Sequence, residues 1–308
     1  VSVSDDVHAR FKNALDAFVE RVRGDDKIVA AILFGSLSYD AVWEYSDIDV
    51  YLVCKDEKRP IEGYCLVEHG INIHALLFPR ARFRQMLDGA AQGSFFHSTV
   101  VRGTLLFSRD DALSEAYENA RHLGEKDREI QLLHVATCLL PALVKAEKWL
   151  TVKHDPDYCF VWLMHVVVGL AQMDVLMHGE IPGREVIHQA LQTNPELFRA
   201  VYTDLIRGEK TPERMRDALN RIADYLDSHI RTLFKPILDY LEREGVARTT
   251  RQLDEHFSKR LRADSLAVAY EWLADKDVLM KVGVPLRLTE TSRVTVEEAA
   301  YLYEGDDE

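Results

Sequence analysis

The sequence predicts an α+β protein in three parts: a small mixed-sheet domain over residues 1–110, an all-α helical bundle over 111–230, and a small helix–helix–hairpin module over 231–308. Three observations carry this. Short β-like runs alternate with helical patterns as far as Ser108 and then stop. From Asp111 to Glu244 apolar residues recur at helical spacing. Beyond Gly245 two short amphipathic helices precede two strand-like runs. A chain of 308 residues suits two or three domains at roughly 100–200 residues each.

In chain order, Phe11, Ala14, Leu15, Phe18, Val19 and Val22 predict a helix over Val7 to Arg23, ended by Gly24-Asp25-Asp26. The apolar run Ile28 to Phe34 reads as a buried strand, and Ile48 to Val53 as a second, alternating one. Tyr64 to Glu68 and Ile71 to Phe78 form two more, with His69-Gly70 as the hairpin turn. Arg80 to Ala91 should be helical, and Thr104 to Phe107 is a further short apolar piece. In the helical part, Asp155-Pro156 and Thr211-Pro212 each read as an N-cap followed by proline in the first turn.

Composition excludes several classes. Apolar residues make up 47% and charged residues 29%, with only 15 Gly and 9 Pro, which argues against disorder or a fibrous chain. The net charge of −13 disfavours broad, unspecific nucleic-acid binding, which depends on neutralising phosphates. Cys54, Cys65, Cys138 and Cys159 are far apart and form no C-x-x-C pair, so small apolar side chains are expected rather than a disulfide frame or a zinc site. The scattered His134, His165, His178 and His188 are read as singly satisfied, and Trp162, Met164, Met173 and Met177 as bundle core. The apolar stretch Phe160 to Val175 is interrupted by His165, Gln172 and Asp174, so no membrane span is expected. The first residues show no basic patch followed by an apolar run, and the expected location is cytoplasmic.

The chemistry concentrates in Phe34-Gly35-Ser36, a spacer of nine residues, and Ser46-Asp47-Ile48-Asp49-Val50. A buried strand ends in Gly-Ser and the next begins with Asp-x-Asp. Strand alternation puts Asp47 and Asp49 on one face, about 7 Å apart along the chain. Two carboxylates so placed repel unless a cation lies between them, and a hard divalent ion shared with substrate phosphates meets that need. Gly35 permits close backbone approach to a phosphate, and Ser36 offers a hydroxyl and an N–H. Either element alone is common at solvated strand ends. Together, on consecutive strands, they are specific.

This pattern resembles the nucleotidyltransferase superfamily of the DNA polymerase β type, over residues 28–55 most closely. The resemblance implies transfer of a nucleoside monophosphate from a nucleoside triphosphate, ATP foremost, to an acceptor hydroxyl with release of pyrophosphate. It implies Mg²⁺, two ions, held by Asp47 and Asp49, and nucleotide contacts at Gly35, Ser36 and Ser46. Two departures stand out. Family members often carry Ala-Arg-Gly where this chain has Ser38-Tyr39-Asp40, so the arginine is missing. The third carboxylate of the family falls on Asn72, leaving His74 on the same face, or Glu68, as stand-in ligand or base.

The helical part is similar to that of kanamycin nucleotidyltransferase-like proteins around Lys145-Ala146-Glu147-Lys148-Trp149-Leu150. That likeness implies a phosphate contact at Lys148, while the family's general-base position falls on Val144, with Glu147 nearby; the alternative is a solvated helix face. In the last part the order of elements is that of a winged helix. Thr249 to Phe257 and Ser265 to Leu273 are its helices, and Val278 to Val282 and Val284 to Thr289 are strands turning at Gly283. The expected recognition helix carries Glu271 and no base, and residues 231–308 hold 16 acids against 12 bases. A protein or homodimer contact is favoured over DNA. The expected partners are the nucleotide and an acceptor, small molecule or protein, with no membrane. The competing reading is a lapsed enzyme acting as a nucleotide-sensing or DNA-binding regulator.

Overall fold

The computed structural model describes residues 5–39, 42–55, 58–88, 103–120, 125–261, 266–291 and 293–305. The chain divides into two compact units, Val1–Gly124 and Glu125–Glu308.

The first unit runs α1 (Asp5–Arg23), β1 (Ile28–Phe34), β2 (Ile48–Cys54), β3 (Glu62–Glu68), β4 (Ile71–Pro79), α2 (Arg80–Asp88), β5 (Thr104–Ser108) and α3 (Asp111–Ala120). The strands form one mixed sheet in the order β3-β4-β2-β1-β5. β2 and β4 are parallel, and the other neighbours are antiparallel. The hairpin turn falls at His69 and Gly70, both with positive φ (49° and 78°), as a two-residue turn of primed type requires. The expected extension of α2 to Ala91 lies outside the described residues.

Alternation gives the sheet two apolar faces and therefore two cores. On one, Phe11, Leu15 and Phe18 of α1 pack with Ile48, Val50, Leu52, Ile71, Ile73 and Ala75. On the other, Phe83 and Leu87 of α2 and Leu113 and Tyr117 of α3 cover Ile32, Tyr51, Val53 and Phe78. This second core stops short of the near ends of β2 and β4. There Asn72, His74 and Leu76 share the face of Phe78 but are exposed.

The second unit is built on α4 (Glu125–Thr151) and α5 (Pro156–Met177), the most extensively packed helix pair in it. By length and composition both reach the threshold of a membrane-crossing helix, with mean hydropathy 1.3 over Arg128–Thr151 and 1.8 over Pro156–Met177. The interruptions at His165, Gln172 and Asp174 do not take the second helix below that threshold. Both are partly buried within the unit, and core helices meet the same threshold. Burial explains the composition: Cys159, Leu163, Val166, Val167, Leu170 and Met173 of α5 are wholly enclosed, while Trp162, Met164 and Met177 are half-buried. Asp174, buried in this helix, accepts hydrogen bonds from Thr193 Oγ1 (2.5 Å), Asn194 Nδ2 (3.1 Å) and Tyr225 OH (3.2 Å). Those donors come from the end of α6 (Val186–Thr193), the residue after it, and α7 (Pro212–Ser228). Burial and the adjacent Asp174 carboxylate push the Tyr225 hydroxyl pKa up.

The unit ends in α8 (Lys235–Glu244), β6 (Arg248–Thr249), α9 (Thr250–Leu261), α10 (Ala267–Asp275), β7 (Met280–Leu286) and β8 (Val296–Leu302). The strands form an antiparallel sheet in the order β6-β8-β7. The expected turn at Gly283 is wrong: Gly283 is inside β7, opposite Ala299, and the connection spans 287–295. A Cβ at Gly283 would lie 2.5 Å from Glu297 Oε2, so the glycine serves close packing of a side chain rather than a turn. Pro285 is tolerated because β7 is an edge strand. None of the four cysteines is in a disulfide; Cys54 and Cys159 are buried as expected, but Cys65 and Cys138 are exposed.

Two predictions follow from these contacts. Asp155 caps α5 by accepting from Tyr158 N at 2.8 Å, so Asp155→Ala should cost about 1 kcal/mol in urea unfolding. In the first unit the Arg80 guanidinium donates to the Asp110 carboxylate, which also accepts from Leu113 N, and these bonds hold the Asp110 pKa below its ordinary 3.8. A depressed folded pKa stabilises above the unfolded value, and the gain disappears as pH falls through the folded one. Arg80→Met should therefore lower stability at neutral pH and flatten the loss of stability below pH ~4, read by denaturation at stepped pH.

Candidate metal centre

The parallel register of β2 and β4 pairs Ile48 with Ile73 and Asp49 with His74. Ile48 and Ile73 both enter the α1 core. Their neighbours Asp49 and His74 therefore emerge together on the opposite face. Asp47 lies one residue ahead of β2. The result is a cluster in which His74 Nδ1 is 2.8 Å from Asp47 Oδ2 and 3.9 Å from Asp49 Oδ1. One ligand atom from each of the three lies within 4.8 Å of the others, the one such group among the described residues. The side chains of His74, Asp47 and Asp49 are 51%, 40% and 26% exposed, so the cluster is open to a ligand.

Gly35 follows β1 with φ of +77°, and its ideal Cβ would lie 2.2 Å from Asp49 Oδ2. The Asp49 carboxylate thus occupies the space a side chain would need. The Gly35 carbonyl accepts from Ser38 N (3.0 Å) and Ser38 Oγ (2.7 Å), closing the short 3₁₀ turn Ser36–Tyr39. Glycine here serves the strand-to-turn geometry and the carboxylate together.

Each expected site residue can be placed. Asp47, Asp49 and His74 come together; Gly35 abuts Asp49, and Ser36 opens the adjoining turn. Ser46 holds the approach to Asp47: its Oγ accepts from Trp43 N at 3.1 Å and its N–H donates to Trp43 O at 2.9 Å. Asn72 is exposed on β4, two residues from His74. Glu68 is on the opposite face, nearly buried, where Arg21 of α1 donates to it at 3.0 Å. It cannot stand in for the third carboxylate, because β3 alternation turns it toward the α1 core. Lys148 belongs to the second unit and is exposed on α4, as are Val144, Lys145 and Glu147; Lys145 Nζ lies 4.4 Å from the Trp162 ring centroid. Asp40 lies outside the described residues.

Two comparisons with known proteins bear on the first unit and on the fold. Residues 18–112 match the family model described as "Polymerase beta, Nucleotidyltransferase". The first unit therefore carries a nucleotidyltransferase-family domain, from within α1 to the start of α3. Among solved structures, eleven chains match. One, a nucleotidyltransferase-like protein from Exiguobacterium sibiricum 255-15, aligns with a TM-score of 0.65 at 16% identity, covering 94% of this chain and 98% of that chain. That likeness is one of fold. No curated protein matches the chain.

Gly35→Ala should both strain the backbone and displace Asp49. The left-handed conformation alone costs a non-glycine residue about 1–2 kcal/mol. Urea unfolding should show at least that loss, and an unchanged midpoint would contradict the close approach.

Proposed function

We propose that the protein is a metal-dependent nucleotidyltransferase that moves a nucleoside monophosphate from a nucleoside triphosphate, ATP foremost, to an acceptor hydroxyl. The observation that supports it most directly is the gathering of Asp47, Asp49 and His74 at the open end of the sheet beside Gly35. In this reaction the acceptor oxygen bonds to the α-phosphorus, and the bond from that phosphorus to the bridging oxygen breaks. Pyrophosphate leaves with the electron pair, and the hydroxyl proton is lost.

The donor set fits a divalent cation: two carboxylates and an imidazole nitrogen, mutually within coordination reach and open on one side. A cation bound there would neutralise charge on the triphosphate. Asp47 and Asp49 hold it. His74 provides the third ligand that Asn72, a neutral amide two residues away, does not. Gly35 keeps the turn close to the Asp49 carboxylate, and Ser36 presents its N–H and hydroxyl at the start of that turn for phosphate oxygens. The contribution of these groups is positioning and electrostatics.

For the second unit we propose an acceptor- or nucleotide-binding role for the helices, with Lys148 as a phosphate contact, and a winged-helix-like module over 231–308. The order α8, β6, α9, α10, β7, β8 and the three-stranded sheet support that module. Arg248 pairs with Glu244, Arg251 with Glu298, Lys276 with Asp227 and Lys281 with Glu271, and acids outnumber bases 16 to 12 over residues 231–308. That favours contact with a protein, or with a second copy of this chain, over DNA. A cytoplasmic enzyme remains the working picture.

Calorimetric titration with each nucleoside triphosphate, with and without divalent metal, tests the central reading. Wild type should bind only with metal, and Asp49→Asn should weaken that binding at least tenfold. Equal binding by both proteins would remove the cluster from the nucleotide site. Binding without transfer of label from an α-labelled triphosphate to any acceptor would favour the nucleotide-sensing alternative.

A further inference from the structure

The composition of the cluster bears on which cation it takes. Resting on the reading that Asp47, Asp49 and His74 hold a cation, we infer that this site selects a borderline first-row transition dication, such as Zn²⁺ or Co²⁺, over Mg²⁺. Mg²⁺ is hard, binds oxygen and keeps several of its waters, so carboxylates and substrate phosphates serve it best. Imidazole nitrogen adds affinity for Zn²⁺ and its neighbours and little for Mg²⁺. The site offers two formal negative charges from its carboxylates, with Asn72 contributing none.

His74 is in the cluster by construction. The β2–β4 register sets it level with Asp49, and Ile73 beside it is locked into the α1 core. The 3.9 Å from Nδ1 to Asp49 Oδ1 is of the size expected between ligands on one ion, about 3–4 Å for bonds of about 2.0–2.2 Å, while the 2.8 Å to Asp47 Oδ2 is a direct ion-pair contact. Exposure of all three side chains leaves coordination positions for water or a substrate oxygen, as in catalytic rather than closed structural zinc sites. Cys65 is opposite His74 on β3 and free, but its sulfur is not in the group within 4.8 Å, so the donor set is one nitrogen and two carboxylates.

The test is binding of the ions alone to the metal-stripped full-length chain, by calorimetry with Zn²⁺, Co²⁺ and Mg²⁺, on wild type, His74→Asn and His74→Asp. Wild type should bind Zn²⁺ and Co²⁺ at least tenfold more tightly than Mg²⁺. His74→Asn should erase that margin, and His74→Asp should move the preference toward Mg²⁺. Because Cys138 and His134 are 3.9 Å apart elsewhere in the chain, only the part of the margin lost with His74 counts. Should the variants fail to fold, Co²⁺-shifted proton signals from the His74 ring in wild type give the same answer. Mg²⁺ binding as tight as Zn²⁺, a margin unaffected by His74→Asn, or an unshifted His74 ring at saturating Co²⁺ would overturn the inference and leave a metal-dependent transferase standing. Failure of every ion to bind would overturn both.

Discussion

The parallel pairing of β2 with β4 sets Asp49 level with His74, and the rest of the site follows from that register. Slipping either strand by one residue would turn its apolar set outward and carry its polar residue into the α1 core. Ile48, Val50, Ile73 and Ala75, all buried on the α1 side, prevent the slip. The packing of one face thus fixes the chemistry of the other. Gly35 completes the arrangement from the end of β1, because only a residue without a Cβ leaves room for the Asp49 carboxylate.

The helices on the second face determine where the sheet stays open. α2 and α3 seal Tyr51, Val53 and Phe78 beneath Phe83, Leu113 and Tyr117. Phe34 stacks on Tyr51 with ring centroids 4.0 Å apart and closes the edge of that core. Beyond it come Asp49 and His74, polar and exposed. The division between dry core and wet site falls between consecutive same-face residues of β2, Tyr51 and Asp49. Such a border leaves the carboxylates open to water while the strands beneath them stay packed.

Much of this was legible in the residues. The apolar run Ile28 to Phe34, the alternation after Ile48 and the His69-Gly70 turn mark the strands because each has a local cause. Asp155 and Thr211 mark helix starts for the same reason, and both accept the capping bond. Asp47 and Asp49 were readable because strand periodicity is itself a geometric statement. What resisted was long-range: whether Asn72 or His74 meets the aspartates depends on a strand register that no local pattern encodes. Glu68 seemed available for the same reason, until alternation and Arg21 placed it on the far face. Gly283 misled because glycine serves both turns and close packing, and only the Glu297 side chain across the ladder distinguishes them.

Asp174 has a consequence for the chain before it folds. By length and composition the helix Pro156–Met177 reaches the threshold of a membrane span, so it presents a largely apolar surface until its partners are made. One carboxylate near the end of such a segment opposes transfer to lipid, as part of the roughly 2.5–3.5 kcal/mol that an aspartate costs at the centre of a membrane helix. Once Thr193, Asn194 and Tyr225 arrive, the same carboxylate becomes an anchor rather than a deterrent. A single side chain thereby guards the nascent helix and then helps to close the unit around it.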